Sequence, residues 1–207
     1  MSKITKQSLK IILFSLCIIL FVYLTKLLLL NEIKLFDDMV FNLVTNLRCE
    51  PLTIIFKFFS FLCSFYFVII LTIIIMLFSK DRKVTFYIVL NVLFCFFLNQ
   101  TLKFFFARSR PTEINLIVEN GYSFPSGHSM LSLAYYGFFV YLILNSNIKR
   151  KNKILAIISL ALLIFFIGLS RIYLGVHYAS DVLAGFAISA AYLILYIQFF
   201  YNKKTIK

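Results

Sequence analysis

Long apolar segments separated by short polar ones recur along most of this 207-residue chain. A membrane-spanning helix needs about twenty apolar residues to cross the hydrocarbon core, and several of these segments approach that length. The pattern predicts an all-α polytopic membrane protein with six transmembrane helices, organised as a single integral-membrane domain over residues 1–207. The predicted spans cover approximately residues 11–30, 51–79, 84–102, 129–144, 154–169 and 180–201.

A shorter segment, residues 33–48, has a different pattern. Its apolar side chains fall on one helical stripe, namely Ile33, Phe36, Val40, Leu43 and Leu47. Its polar side chains fall on another, namely Lys34, Asp37, Asp38, Thr45 and Arg48. This pattern therefore predicts an amphipathic helix, located between the first two spans and lying in the membrane interface. A connecting helix packed on the bundle is the alternative, and the pattern fits both.

Composition agrees with a membrane protein, since 62% of residues are hydrophobic and the mean hydropathy is +0.95. The net charge of +13 would suggest nucleic acid in a soluble protein, but here the basic residues cluster in short turns between apolar runs. With six spans, one side holds both termini and 13 of the 21 Lys and Arg residues, but only one of the eight acidic residues, Asp81. The positive-inside rule assigns that side to the cytoplasm, with no nucleic-acid partner required.

The opposite, extracytoplasmic side receives the polar residues that could carry chemistry. They form three clusters: Lys103 with Arg110-Pro111, then Pro125-Ser126-Gly127-His128, then Ser170-Arg171 with His177 and Asp181. His177 and Asp181 are four residues apart, which places them on one face of a helix. A carboxylate in that position can hold one ring nitrogen and leave the other free for attack or proton transfer.

A phosphate group is the ligand that best fits these side chains. Lys103, Arg110 and Arg171 supply three cations, and planar guanidinium groups bind phosphate oxygens in pairs. Ser126 and Gly127 stand at the start of the fourth predicted span, where backbone N–H groups and the helix dipole attract an anion. We expect metal-independent chemistry with no cofactor, because these residues include no acidic cluster suited to a divalent ion. The four cysteines, Cys17, Cys49, Cys63 and Cys95, have no spacing typical of a metal site or a disulfide.

The three clusters match K-x6-R-P, P-S-G-H and S-R-x5-H-x3-D, and in this respect the chain resembles the type 2 phosphatidic acid phosphatase family over residues 103–181. The resemblance implies a bacterial plasma-membrane lipid phosphatase. In this family's scheme His177 is the nucleophile that forms a phosphohistidine, Asp181 orients it, and His128 acts as general acid and then base. The remaining five residues, Lys103, Arg110, Ser126, Gly127 and Arg171, would hold the phosphate.

The resemblance implies phosphatidylglycerophosphate or phosphatidate as substrate, with undecaprenyl diphosphate, and a role in recycling the cell-wall lipid carrier, as the nearest alternative. Two other classes share the scaffold or the phosphate cradle. A non-catalytic lipid-phosphate binder or transporter would be expected to lack one histidine, whereas this chain keeps both His128 and His177. Vanadate-dependent haloperoxidases are largely soluble, which the hydrophobic content of this chain opposes.

Overall fold

The structure, a computed structural model, describes residues 3–79, 81–111 and 115–201, and within these ranges it contains α-helices and no β-strand. Eight helices are described, with these bounds: α1 Lys3–Leu29, α2 Lys34–Thr45, α3 Glu50–Phe61, α4 Phe65–Phe78, α5 Arg82–Phe106, α6 Gly127–Leu144, α7 Arg150–Tyr173 and α8 Ala179–Phe199.

The predicted all-α membrane architecture is confirmed. Five of the described helices, α1, α5, α6, α7 and α8, are long and apolar enough to cross a bilayer. Helices α3 and α4 together provide a sixth span if the pair is counted as one. The lysines at 203, 204 and 207 and the one at position 80, which contributed to the predicted sidedness, lie outside the described residues.

The second predicted span is not the continuous helix that the apolar pattern indicated. It breaks between α3 and α4 with a bend of 52°. Ser64 caps the new helix by accepting a hydrogen bond from Phe67 N at 3.3 Å, and the Tyr136 hydroxyl donates to Leu62 O at 2.5 Å. A helix can break where side chains satisfy the freed backbone groups. The partner here is 74 residues away, which hydropathy along the chain cannot reveal.

Helix α2 forms where the amphipathic pattern predicted it, and one residue of its polar stripe, Asp37, faces the protein, whereas Lys34 and Asp38 are exposed. Asp37 is 1% exposed, and Arg48 Nε donates to Tyr173 O at 2.9 Å. The apolar residues Leu43 and Leu47 remain 62% and 65% exposed. The helix thus packs on α7 and α8 as the alternative expected, with Val40 of its apolar stripe against the buried cluster of Ile172, Ala179 and Val182. Leu43 and Leu47 stay available to lipid.

Four helix ends converge at one end of the bundle. Helix α6 packs against α5, α7 and α8, and the C-terminal ends of α5 and α7 meet the N-terminal ends of α6 and α8. One point of close approach is Gly185 of α8, where an added Cβ would lie 2.9 Å from Ser126 O and 3.0 Å from Ser129 Cβ. Only a residue without a side chain allows α8 to approach the start of α6 this closely. This convergence gathers the three polar clusters.

Candidate active site

The turn between α7 and α8 presents the imidazole of His177. Gly175 has φ 81°, a left-handed conformation that favours glycine and ends α7. The backbone N–H groups of Val176 and His177 then both donate to Arg171 O at 3.2 Å. The turn fixes the backbone of His177 one helical turn before Asp181, which lies in the first turn of α8.

The hydrogen bonds of His177 define its tautomer. Nδ1 lies 3.3 Å from Asp181 Oδ2, and Nε2 lies 3.1 Å from Arg110 Nη1. A guanidinium group can only donate, so Nε2 must accept and carries no proton. Nδ1 therefore carries the ring proton and donates it to Asp181, which also accepts from Tyr178 N at 2.9 Å. Nε2, with its lone pair, is the ring nitrogen suited to nucleophilic attack.

The surroundings keep this imidazole neutral. Burial lowers the pKa of His177 well below its ordinary 6.5, and the positive charges of Arg171, Arg110 and Lys103 lower it further. The side chain is only 2% exposed. At physiological pH His177 is thus in the unprotonated form that a nucleophile needs.

The second histidine faces the same space. His128 lies in the first turn of α6 and lines a pocket of about 690 Å³ together with His177, Lys103, Arg110 and Gly127. At least one residue of each motif thus lines this cavity, whereas the predicted site residues Ser126, Arg171 and Asp181 are not among its described lining residues. The same pocket extends along an apolar wall that includes Val92, Leu93, Phe96, Phe97 and Leu131.

Backbone carbonyl groups hold Arg110 in place. Its guanidinium donates to Asn120 O at 3.1 Å, Gly121 O at 3.0 Å and Val176 O at 2.9 Å, besides its contact with His177. The loop is fastened further by Ser123, whose N–H donates to Arg108 O at 2.8 Å. Arg110 is therefore a fixed cation beside Nε2 of His177.

The other two predicted cations differ in their partners. Lys103 Nζ donates to the carbonyl groups of Tyr122 and Ser123 and lies on the pocket wall. Arg171 is fully buried and donates to Ser60 Oγ and to Glu119. Its Nε has no hydrogen-bond partner in the described part of the chain. Unlike Lys103 and Arg110, Arg171 is not among the described residues that line the pocket.

Glu119 is an acidic residue that the sequence did not single out. Its carboxylate pairs with Arg171 and lies 3.9 Å from Arg110 Nη2. It also lines the pocket beside both histidines. A carboxylate that bridges two of the three predicted phosphate-binding cations stands where a bound anion would compete with it.

The prediction for Ser126 needs correction. We expected its backbone N–H to face phosphate, but that group donates to Asp181 O at 3.0 Å, and the residue is fully buried. Its hydroxyl instead caps α6 by accepting from Ser129 N at 3.4 Å. Gly127 does line the pocket. Ser126 thus supports the site by joining α6 to α8.

Asp181 pairs with Arg108, a residue that the sequence analysis did not select. Arg108 Nη1 donates to Asp181 Oδ1 at 2.6 Å and Nη2 to Asp37 Oδ2 at 2.7 Å. Although burial opposes the charge, Asp181 and Asp37 together raise the pKa of Arg108 above its ordinary value. The available signal was a second arginine inside the K-x6-R-P motif, two residues before Arg110.

No group of three or more His, Cys, Asp or Glu side chains that could hold a metal ion occurs in the described ranges 3–79, 81–111 and 115–201. The charged groups around the two histidines are the cations already described and the carboxylates of Asp181 and Glu119. Metal-independent chemistry remains a prediction for experiment.

Comparison with known proteins was made on sequence and on structure. Residues 83–205 match the family model of the PAP2 superfamily. The chain belongs to the PAP2 superfamily. The match covers more than half of the chain and includes all three motifs, as their resemblance to this family predicted.

Two solved structures and one curated sequence are similar to this PAP2 protein. A transmembrane PAP2-type phosphatidylglycerolphosphate phosphatase from Bacillus subtilis aligns with TM-score 0.80 and 27% identity, over 92% of this chain and 97% of that one. LpxE of Aquifex aeolicus aligns with TM-score 0.63 and 28% identity, over 79% and 96%. Phosphatidylglycerophosphatase B of Bacillus subtilis is 39% identical over 92 residues, 44% of this chain and 45% of that protein. The aligned segment thus spans less than half of this curated relative.

Proposed function

We propose that this PAP2 protein is a membrane lipid phosphatase that removes phosphate from a lipid headgroup through a phosphohistidine intermediate. The observation that carries the proposal is one pocket in which a neutral imidazole, His177, and a second imidazole, His128, stand among Lys103 and Arg110. Its polar end suits a phosphate, and its apolar wall suits an acyl or prenyl chain.

In the first step, His177 Nε2 attacks phosphorus and forms a P–N bond. The bond between phosphorus and the leaving oxygen breaks, and His128 donates a proton to that oxygen. Asp181 accepts the Nδ1–H of His177 at 3.3 Å and stabilises the positive charge that develops on the ring. Arg110, Lys103 and Arg171 stabilise the negative charge of the transferring phosphoryl group.

In the second step, water attacks phosphorus and the P–N bond breaks. His128, now unprotonated, takes a proton from that water, which releases inorganic phosphate and restores both imidazoles. The cycle needs two histidines that face one phosphate, and both His128 and His177 line the same pocket. The charges supplied by Arg110, Lys103 and Arg171 provide the stabilisation that a metal ion provides elsewhere.

Phosphatidylglycerophosphate is the substrate that we favour, with phosphatidate next and undecaprenyl diphosphate as the alternative. Similarity to the Bacillus subtilis phosphatidylglycerolphosphate phosphatase supports this order. We further propose that the site faces the extracytoplasmic side of a bacterial plasma membrane and that both termini are cytoplasmic. The basic segment 149–153, at the start of α7, supports this orientation, because it lies at the end of α6 and α7 away from the site.

The test is phosphate release by detergent-purified protein in the presence of EDTA, with wild type compared with His177→Ala. The substrate panel holds phosphatidylglycerophosphate, phosphatidate, undecaprenyl diphosphate and a soluble sugar phosphate. We expect metal-free release from at least one lipid by wild type and none by the variant. Release that requires a divalent ion would contradict the mechanism.

A trapping experiment distinguishes the phosphohistidine from a directly attacking water. Rapid quenching in alkali with ³²P-labelled lipid should leave label on wild type, because a P–N bond survives alkali and hydrolyses in acid. His177→Ala should carry no label while keeping the thermal unfolding profile of wild type. Tight lipid binding by both proteins, with release by neither, would instead indicate a non-catalytic binder.

A further inference from the structure

A chain of buried charged groups continues from the nucleophile to helix α2. Asp181 joins His177 through one carboxylate oxygen and Arg108 through the other, at 3.3 and 2.6 Å. Arg108 then reaches Asp37 Oδ2 at 2.7 Å. The two carboxyl groups are 1% exposed or less, and the Arg108 side chain is 13% exposed. The chain thus consists of four side chains from three separate parts of the sequence.

Asp37 is fixed at the far end of this chain by the start of α8. Its Oδ1 accepts from Ser180 N at 2.9 Å, and its Oδ2 accepts from Ser180 Oγ at 2.7 Å. Ser180 Oγ also accepts from Arg108 Nη1 at 2.8 Å. Ser180 directly precedes Asp181, so Asp37 holds the same helical turn that carries the carboxylate partner of the nucleophile.

Arg108 does not contact the space where phosphate would bind. It is absent from the described residues that line the pocket, and the ring of Tyr178 covers its guanidinium face at 4.0 Å. Arg110, only two residues away, lines the pocket and contacts His177. The two arginines of this motif therefore have different environments, one beside the substrate and one behind Asp181.

We propose that Arg108 and Asp37 are positioning residues for the nucleophile, so that helix α2 completes the active site. The inference rests on the proposed phosphatase function. Arg108 fixes the rotation of the Asp181 carboxylate and keeps it charged, and this carboxylate in turn fixes the ring and the tautomer of His177. Asp37 orients the guanidinium and, as a second carboxylate, balances its charge while Asp181 contacts the imidazole through its other oxygen.

The variants Arg108→Lys and Asp37→Asn test this chain in full-length detergent-purified protein. Lysine keeps the charge but cannot bridge two carboxylates in fixed directions, so we expect kcat to fall about 100-fold, the cost of misplacing a reacting group by about 1 Å. KM should stay within about twofold of wild type, because neither residue touches substrate. Asp37→Asn leaves the pair of Arg108 and Asp181 intact and should cause a smaller loss of kcat of the same kind.

The matched control is Arg48→Lys. Arg48 also fastens the region of α2 to α7, through its hydrogen bond to Tyr173 O at 2.9 Å, but has no part in the chain from His177 to Asp37. Its substitution should lower the unfolding temperature and leave kcat unchanged. A loss of kcat in Arg48→Lys as large as that in Arg108→Lys would reduce the proposed role to general support of the fold and overturn the inference.

A spectroscopic measurement separates this inference from the proposed function because it needs no turnover. ¹⁵N-histidine NMR should report the Nδ1–H tautomer of His177 in wild type and a mixture of tautomers in Arg108→Lys and Asp37→Asn. An unchanged tautomer with kcat within twofold of wild type in folded variants would overturn the inference. A raised KM with unchanged kcat would also overturn it, since Arg108 would then bind substrate. If Arg108→Lys does not fold, the same readouts on Asp37→Asn decide.

Discussion

Substitution of Gly185 by alanine tests whether the close approach of α8 to α6 sets the position of His128. The added Cβ would lie 2.9 Å from Ser126 O and 3.0 Å from Ser129 Cβ, whereas ordinary van der Waals contact begins at 3.4 Å. The obstructing atoms include backbone, so relief requires the helices to separate by about 0.5 Å rather than a rotamer change. This movement displaces the first turn of α6, which carries His128.

Two opposing effects determine how much Gly185→Ala changes the free energy of unfolding. Alanine gains about 1 kcal/mol over glycine in a helix interior, while overpacking of a dense contact costs about 1–3 kcal/mol. We expect Gly185→Ala to be destabilised by about 1 kcal/mol on balance. A misplacement of about 1 Å costs about 100-fold in rate, so a shift of about 0.5 Å should lower kcat about tenfold.

The matched control is Gly137→Ala within α6. There the nearest atom to the added Cβ is Leu193 Cδ2 at 2.9 Å, the end of a flexible side chain that can rotate away. The control should therefore keep wild-type kcat and gain stability from helix propensity, by up to about 1 kcal/mol. The assay is thermal unfolding in detergent together with phosphate release at saturating lipid. If Gly185→Ala behaves like Gly137→Ala in both measurements, the close approach does not position the site.

Two further predictions concern the charges of the pocket. Glu119 pairs with Arg171 and lies 3.9 Å from Arg110. The variant Glu119→Gln should therefore bind inorganic phosphate more tightly, so that competitive inhibition by phosphate becomes about tenfold stronger. Unchanged inhibition would mean that this carboxylate does not compete with phosphate for the two arginines. The folded pKa of His177 lies well below 6.5, so protonation, and loss of its nucleophilic form, should begin only as the pH falls well below that value. ¹⁵N-histidine NMR of a His128→Gln variant, which leaves one imidazole, checks this; a midpoint near pH 6.5 would contradict the described burial.

Local patterns were sufficient for the features that depend on neighbouring residues. Hydropathy over windows of about twenty residues predicted the spans, because each helix satisfies its own backbone hydrogen bonds and needs only apolar side chains to enter lipid. The spacing of His177 and Asp181 predicted their contact for a similar reason, since four residues make about one helical turn. The three motifs predicted the family, to which the chain belongs.

Which side chains of α2 face the protein required the tertiary structure. The amphipathic pattern located this helix, but the same pattern fits a polar face turned to water and one turned to buried partners. Asp37 faces the protein because Arg108 and Ser180, 71 and 143 residues away, satisfy its carboxylate. Pairings over such separations depend on how the helices pack, and no periodicity along the chain encodes them.

The sequence by itself thus determined the helical membrane architecture, the family and five of the residues that line the pocket, Lys103, Arg110, Gly127, His128 and His177. Tertiary structure decided the break at Leu62, the capping role of Ser126, and the pairings of Arg171 with Glu119 and of Asp181 with Arg108. Each of these depends on a donor and an acceptor that only helix packing brings together. A buried charge or a freed carbonyl must find a partner in the folded molecule, and its identity follows from three-dimensional proximity rather than from the local sequence.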